Sequence, residues 1–200
     1  MKFQTHSHRF GLAISQEEEF IAEWNELQDV LSSISDEDIM QAHSDFTPNN
    51  KSISRAINRL IKDRLEDKNW ISESAIFNDP NYQQTRWRLD FAKKLFSVEV
   101  AFNHGEATAW NLMKPVLASE LNHVSKDAQT QIGVVIMADQ SMKEAGGYDG
   151  AVGTYEHAIR YLAPLQNQLT VPMILIGLKA PETFKVIHTG KPKRALFERI

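Results

Sequence analysis

Apolar residues recur along this chain with two different periods, and the change from one to the other organises it. From Gln16 to Ile34, residues Phe20, Ile21, Trp24, Leu27, Val30, Leu31 and Ile34 fall on one stripe at helical spacing. Glu17, Glu18 and Glu19 then stand in the first turn of the predicted helix, where carboxylates suit the positive end of the dipole. That role explains the acidic run without a ligand. A second amphipathic helix is predicted from Ser52 to Lys68, with Ile53, Ile57, Leu60, Ile61 and Leu65 on its apolar stripe. Its other face carries Arg55, Arg59, Lys62 and Arg64.

Between Trp87 and Phe102 the period falls to two. WRLDFAKKLFSVEVAF reads as a β-hairpin turning at Lys93-Lys94. In its second strand Phe96, Val98, Val100 and Phe102 face one way, and Ser97, Glu99 and Ala101 the other. A further helix is predicted from Glu106 to about Val124, with Pro115 expected to kink or interrupt it. QIGVVIMA at 131–138 and VPMILIGL at 171–178 read as buried strands. Between them, GGYDGAVG at 146–153 forms a loop leading into a helix from Thr154 to Leu165. HTGKPKR at 188–194 reads as an exposed basic turn. No repeat or linker divides residues 1–200, so one domain is expected, an α/β (α+β mixed) fold with a mixed sheet flanked by helices.

Composition narrows the chemistry. With 42% hydrophobic residues the chain can fill a core, yet its apolar runs are too short to span a bilayer. The N-terminus lacks the apolar stretch of a signal peptide, so a cytoplasmic location is expected. Cysteine is absent, so any metal must be held by carboxylate, carbonyl or imidazole, which favours hard cations such as magnesium. The net charge of −4 argues against a nucleic-acid partner only until its distribution is read. Residues 1–50 carry 2 basic and 10 acidic side chains, whereas 51–100 carry 10 and 7, and 151–200 carry 7 and 3. Local patches, not the total, decide whether a surface meets phosphates.

On the predicted hairpin, Asp90 and Glu99 can converge. Two carboxylates side by side repel each other unless a cation or base sits between them. Such a pair suits phosphodiester hydrolysis, where magnesium polarises a phosphoryl oxygen and activates the attacking water. The spacing alone is also what two solvent-facing acids on neighbouring strands would give. The surrounding residues add to it: the arrangement resembles the PD-(D/E)XK nuclease superfamily, in which an Asp closes one strand and a (D/E)-x-K triplet lies on the next. LDFAKKLFSVEVAF is similar in particular to the BglII-like type II restriction endonucleases, where a DF pair precedes a VEVQF strand. Trp24 in the first helix, IKDRLEDKNW at 61–70, TYEHA at 154–158 and VPMILIGL match further family segments in the same order.

The resemblance implies a restriction-endonuclease-like fold and Mg2+-dependent cutting of double-stranded DNA by a homodimer. The target it implies is a short palindrome containing GATC, cut to leave 5′ overhangs. A DNA methyltransferase would share that site without binding the enzyme directly. Asp90 and Glu99 would hold the metal together with the main-chain carbonyl of Val100. At the position of the usual Lys, or the family's Gln, this chain has Ala101. Either the metal and the substrate phosphates activate the water, or Asn103, His104, Glu106 or Lys94 substitutes, or the protein binds DNA and cuts poorly. Asn103 and His104 fall where the family places polar groups near DNA. Tyr148 and Asp149 lie in the loop that stands where a base-reading segment is expected and could offer hydrogen bonds there. Lys51, Arg55, Arg59, Lys191, Lys193 and Arg194 are candidates for phosphate contacts. A repair or recombination nuclease acting on DNA structure is the other alternative. His6, His8, His43, His123 and His157 read as structural or surface residues, and Trp70, Trp87 and Trp110 as core or interface aromatics.

Overall fold

The computed structural model describes residues 1–46, 50–82, 84–120, 124–190 and 194–200, with only the backbone at 85 and 194. In chain order the elements are β1 (Phe3–His8), α1 (Gly11–Ile14), α2 (Ile21–Ser33), α3 (Asp36–Ser44), α4 (Ser54–Asp67), β2 (Ile71–Ala75), β3 (Arg88–Lys93) and β4 (Phe96–Val100). They continue with α5 (Thr108–Ser119), β5 (Ile132–Ala138), α6 (Gln140–Ala145), α7 (Tyr155–Leu162), β6 (Met173–Leu178), β7 (Phe184–Thr189) and β8 (Arg194–Arg199). No described helix is long and apolar enough to cross a membrane.

Six strands form one mixed sheet in the order β1-β6-β5-β4-β3-β2. The middle strands β4, β5 and β6 run parallel, and β1, β3 and β2 join antiparallel. The predicted alternation in β4 holds. Phe96 and Val98 pack beneath α2 to α4 with Trp24, Leu27, Ile57 and Ile61, while Ala101 packs on the other face with Leu112, Val116 and Tyr155 of α5 and α7. β5 and β6 are buried on both faces, as expected of central parallel strands carrying crossover helices.

Several elements depart from the sequence reading. α2 starts at Ile21, because the Phe20 and Ile21 N–H groups close a turn on the Glu17 carbonyl. The three glutamates therefore sit in that exposed turn and not in the helix. The hairpin turns at Lys94-Leu95, with Lys93 still paired to Phe96. α5 runs through Pro115 unbroken. The ring packs where Gly133 of β5 has no side chain: a Cβ there would lie 2.4 Å from Pro115 Cβ. Of the segment expected to be a basic turn, His188 and Thr189 end β7 and Arg194 begins β8, the two strands of a second sheet. Lys191, Lys193 and His123 lie outside the described residues.

Candidate active site

The register of β3 and β4 runs from Lys93↔Phe96 to Phe91↔Val98. Past it, side chains take over the hydrogen bonding: Val100 N–H donates to Asp90 Oδ2 at 2.6 Å, and Asp90 N–H donates to Glu99 Oε1 at 3.3 Å. The Glu99 carboxylate thus holds the backbone of β3 at Asp90, and the Asp90 carboxylate holds that of β4 at Val100. Glu99 is 2% exposed. Burial, and then the charge of Asp90, pushes Glu99 up to about 8, against the pull of Lys114. Burial likewise raises Asp90, with Glu73 adding to the rise while the Val100 N–H and Lys114 oppose it.

Lys114 is the residue that sequence reading missed. From α5 it places Nζ 2.6 Å from Glu99 Oε2, with its side chain only 12% exposed. The signal was present, because Lys114 is the one charged residue between Glu106 and Glu120, in an otherwise apolar helix. Glu73 was also missed, and nothing in its sequence context marks it. It lies between the pairs Ser72↔Phe91 and Ser74↔Leu89, opposite Asp90, with a left-handed backbone (φ 51°) that is strained for a residue with a side chain. Asp90, Glu73 and the backbone-exposed end of β4 at Val100 border a recess of about 140 Å³, together with Asn58 and Lys62 of α4.

Among the described residues no three His, Asp or Glu side chains gather as a metal set. A cation would rest on Asp90, Glu99 and the Val100 carbonyl. The pair fits a hard divalent ion in charge and donor type: a buried Glu99 and a half-buried Asp90 that repel each other, with a positive charge already drawn against Glu99.

Ala101 is 2% exposed in the α5–α7 cluster, so residue 101 offers only a methyl group. Of the groups considered as its substitute, Lys94 is excluded, since it pairs with Glu23 at 2.7 Å beside the hairpin turn. Asn103, His104 and Glu106 line a larger cleft of about 820 Å³, shared with Lys51, Tyr148 and Asp149. It opens at the carboxyl end of β4, where parallel sheets commonly place ligands. Loop 146–153 is fastened there. Ile53 N–H donates to the Gly146 carbonyl at 3.0 Å, and a Cβ on Gly147 (φ 73°) would meet the Lys51 carbonyl at 2.6 Å.

Three expected DNA contacts need correction. The Tyr148 hydroxyl is buried without a hydrogen-bond partner, its ring edge-on to Phe102 at 5.7 Å, so it does not present a donor at the surface. The loop glycines let the ring turn inward. Arg55 and Arg59 are not in the cleft: both guanidinium groups lie over the Phe46 ring, at 5.0 and 5.2 Å, and Arg59 pairs with Asp45 at 2.8 Å. Arg194 begins β8, and its side chain lies outside the described residues. The structural readings of Trp70 and His8 hold, the first packed on Phe96 and the second bonded to the Leu169 carbonyl.

Comparison with known proteins decides the family. The model of the restriction endonuclease BglII/BglIII family matches residues 3–178. The chain belongs to that family. Among solved structures it is similar to restriction endonuclease BglII complexed with a DNA 16-mer, at 20% identity and a TM-score of 0.70, over 100% of both chains. It is also similar to free BglII, at 19% identity and a TM-score of 0.57, covering 100% of this chain and 93% of that one. These likenesses confirm the restriction-endonuclease fold. No curated protein sequence matches the chain.

Proposed function

We propose that this protein is a type II restriction endonuclease that hydrolyses double-stranded DNA in a magnesium-dependent reaction. The observation that carries the reading is the convergence of Asp90 and Glu99 on one buried point of the β3–β4 hairpin. Asp90, Glu99 and the Val100 carbonyl would hold the ion, which when bound supplies Lewis acidity to the phosphoryl oxygen and lowers the pKa of a water. Water adds to phosphorus in line as one P–O bond breaks. Burial at Glu99 keeps bulk water out and strengthens every charge interaction inside. The large cleft, with Lys51, Asn103, His104 and Asp149, would hold the DNA beside the scissile phosphate.

The target is a short palindrome containing GATC, cut to leave 5′ overhangs. Symmetrical cutting of both strands calls for two equivalent sites, hence a homodimer. Incubating unmethylated plasmid with the protein and magnesium tests this: discrete bands are expected. A smear would favour cleavage directed by DNA structure. One observation supports a second reading, a DNA-binding protein weakened as a nuclease, because residue 101 has no group to orient water. An intact plasmid with a gel shift would establish it.

A further inference from the structure

Resting on the endonuclease reading, we propose that Lys114 is the catalytic lysine of this site, delivered from α5 instead of β4: it neutralises the phosphate being cut, the task for which residue 101 has no side chain.

Lysine is rarely buried, and a buried ion pair contributes little net stability over apolar packing. A lysine kept at 12% exposure, in a helix with no other charge from 107 to 119, therefore calls for a role beyond the fold. Its position supplies one. From α5, which packs over β4 and β5, its ammonium reaches Glu99 Oε2 at 2.6 Å. Glu99 and Ala101 face the same side of the sheet, so Lys114 approaches the carboxylates from the side on which a longer residue 101 would stand. Lys114 thus brings to Glu99, from a helix, the positive charge that residue 101 does not carry on the strand. The lysine's charge acts on Asp90 as well as Glu99. Of the other lysines nearby, Lys94 pairs with Glu23 and Lys93 with Glu26, while Lys62, at the rim of the recess beside Asp90, is half exposed and lies 3.8 Å from Glu66.

The ammonium holds Glu99. A divalent cation on Glu99 would leave the ammonium to a phosphate oxygen beside it. No proton or covalent bond moves in this role. The lysine acts by charge and position.

The test combines Lys114→Met, which keeps the volume of the stem, with Lys114→Met/Ala101→Lys, which returns a lysine to the strand. Calcium binding is read from the shift in Tm, and cleavage from single-turnover assays with magnesium. Lys114→Met should bind calcium at least as tightly as wild type, because no ammonium competes, while cutting about 100-fold more slowly. The double variant should recover cleavage by about tenfold or more. If Lys114→Met does not fold, Lys114→Gln carries the same measurements. The proposal is overturned if the single variant cuts within about threefold of wild type, or if it loses its calcium response, which would make the lysine a prop for the carboxylates. If wild type itself cuts no DNA, the endonuclease reading falls and the catalytic role with it. If wild type cuts and Lys114→Met cuts equally well, only the lysine's role falls.

Discussion

Asp90 and Glu99 show how a site of this kind costs stability. Both carboxyl groups are raised in the folded protein, chiefly by burial, and Glu99 lies at about 8. The folded chain therefore holds more protons than the unfolded chain between the ordinary carboxylate range and pH 8. Across that window stability is lost as pH rises, because ionising either group means burying a charge beside its neighbour. Asp90→Asn removes one of the two charges and can still accept from the Val100 N–H. The variant should melt above wild type in the absence of metal, by about 2–4 °C for each kcal/mol regained in a chain of this size. The gain should be larger at pH 8 than at pH 5. Calcium should raise the Tm of wild type at pH 8 and leave that of Asp90→Asn nearly unmoved, and the variant should not cut DNA. An equal gain at both pH values would mean that the acids do not oppose each other in the fold. The spacing of the pair alone said little in the sequence, and it was the likeness of LDFAKKLFSVEVAF and its companion segments to the family that singled the two acids out. Lys114 was not singled out, since its partner lies on another element and only the packing of α5 on the sheet brings the two together.

At the scale of elements, α5 is the part that positions this chemistry, and Pro115 is its tightest-fitted contact with β5. Pro115 sits over Gly133, where an added Cβ would approach to 2.4 Å of the Pro115 Cβ and 3.0 Å of its Cγ. Neither a proline ring nor a central strand gives way easily. Gly133→Ala should therefore push α5 outward, cost about 1–3 kcal/mol, and slow cleavage by displacing Lys114 from Glu99. The signature is a fall in kcat with calcium binding kept, measured beside the thermal melt. Unchanged kcat with a lowered Tm would separate the seat of the helix from the chemistry. The same contact explains why the expected break at Pro115 does not occur: tertiary packing holds the ring. Other elements hid for related reasons. α3 is DEDIMQAHS, with only Ile39, Ala42 and His43 buried, and it begins on a Ser35–Asp38 capping box instead of an apolar stripe. β1 and β2 are sheet edges with mixed burial, so their alternation is weak. The β7–β8 hairpin inserts Phe184 and Val186 into the core and sets Phe197 edge-on to His43 at 4.9 Å, contacts between distant segments that local pattern does not carry. The strands and helices read correctly were the strongly patterned ones.

Across the whole molecule, the charge balance read from quarters of the chain takes a different meaning. The acid excess of residues 1–50 faces the base excess of 51–100 inside the fold: Glu23 pairs with Lys94, Glu26 with Lys93, Asp38 with Arg64 and Asp45 with Arg59. Much of the basic second quarter is thereby neutralised by the protein itself and is not available to phosphates. Lys51 is placed otherwise. It is exposed at the large cleft, and its carbonyl accepts from His188 Nε2 at 2.7 Å, so β7 fixes the backbone beneath it while the side chain stays outward. A cation already paired on the protein releases few counterions when DNA arrives, whereas an unpaired one at a phosphate releases about one. Binding of a labelled duplex in calcium, followed by anisotropy from roughly 50 to 200 mM salt, distinguishes the two kinds. Lys51→Ala should reduce the slope of log affinity against log salt by about one at every sequence tested. Arg59→Ala should leave that slope unchanged and lower the Tm slightly, as expected for loss of a partly exposed ion pair and its contact with Phe46. A reduced slope for Arg59→Ala would show that the Asp45 pair opens on DNA and that the surface which meets phosphates reaches round to the α3–α4 corner.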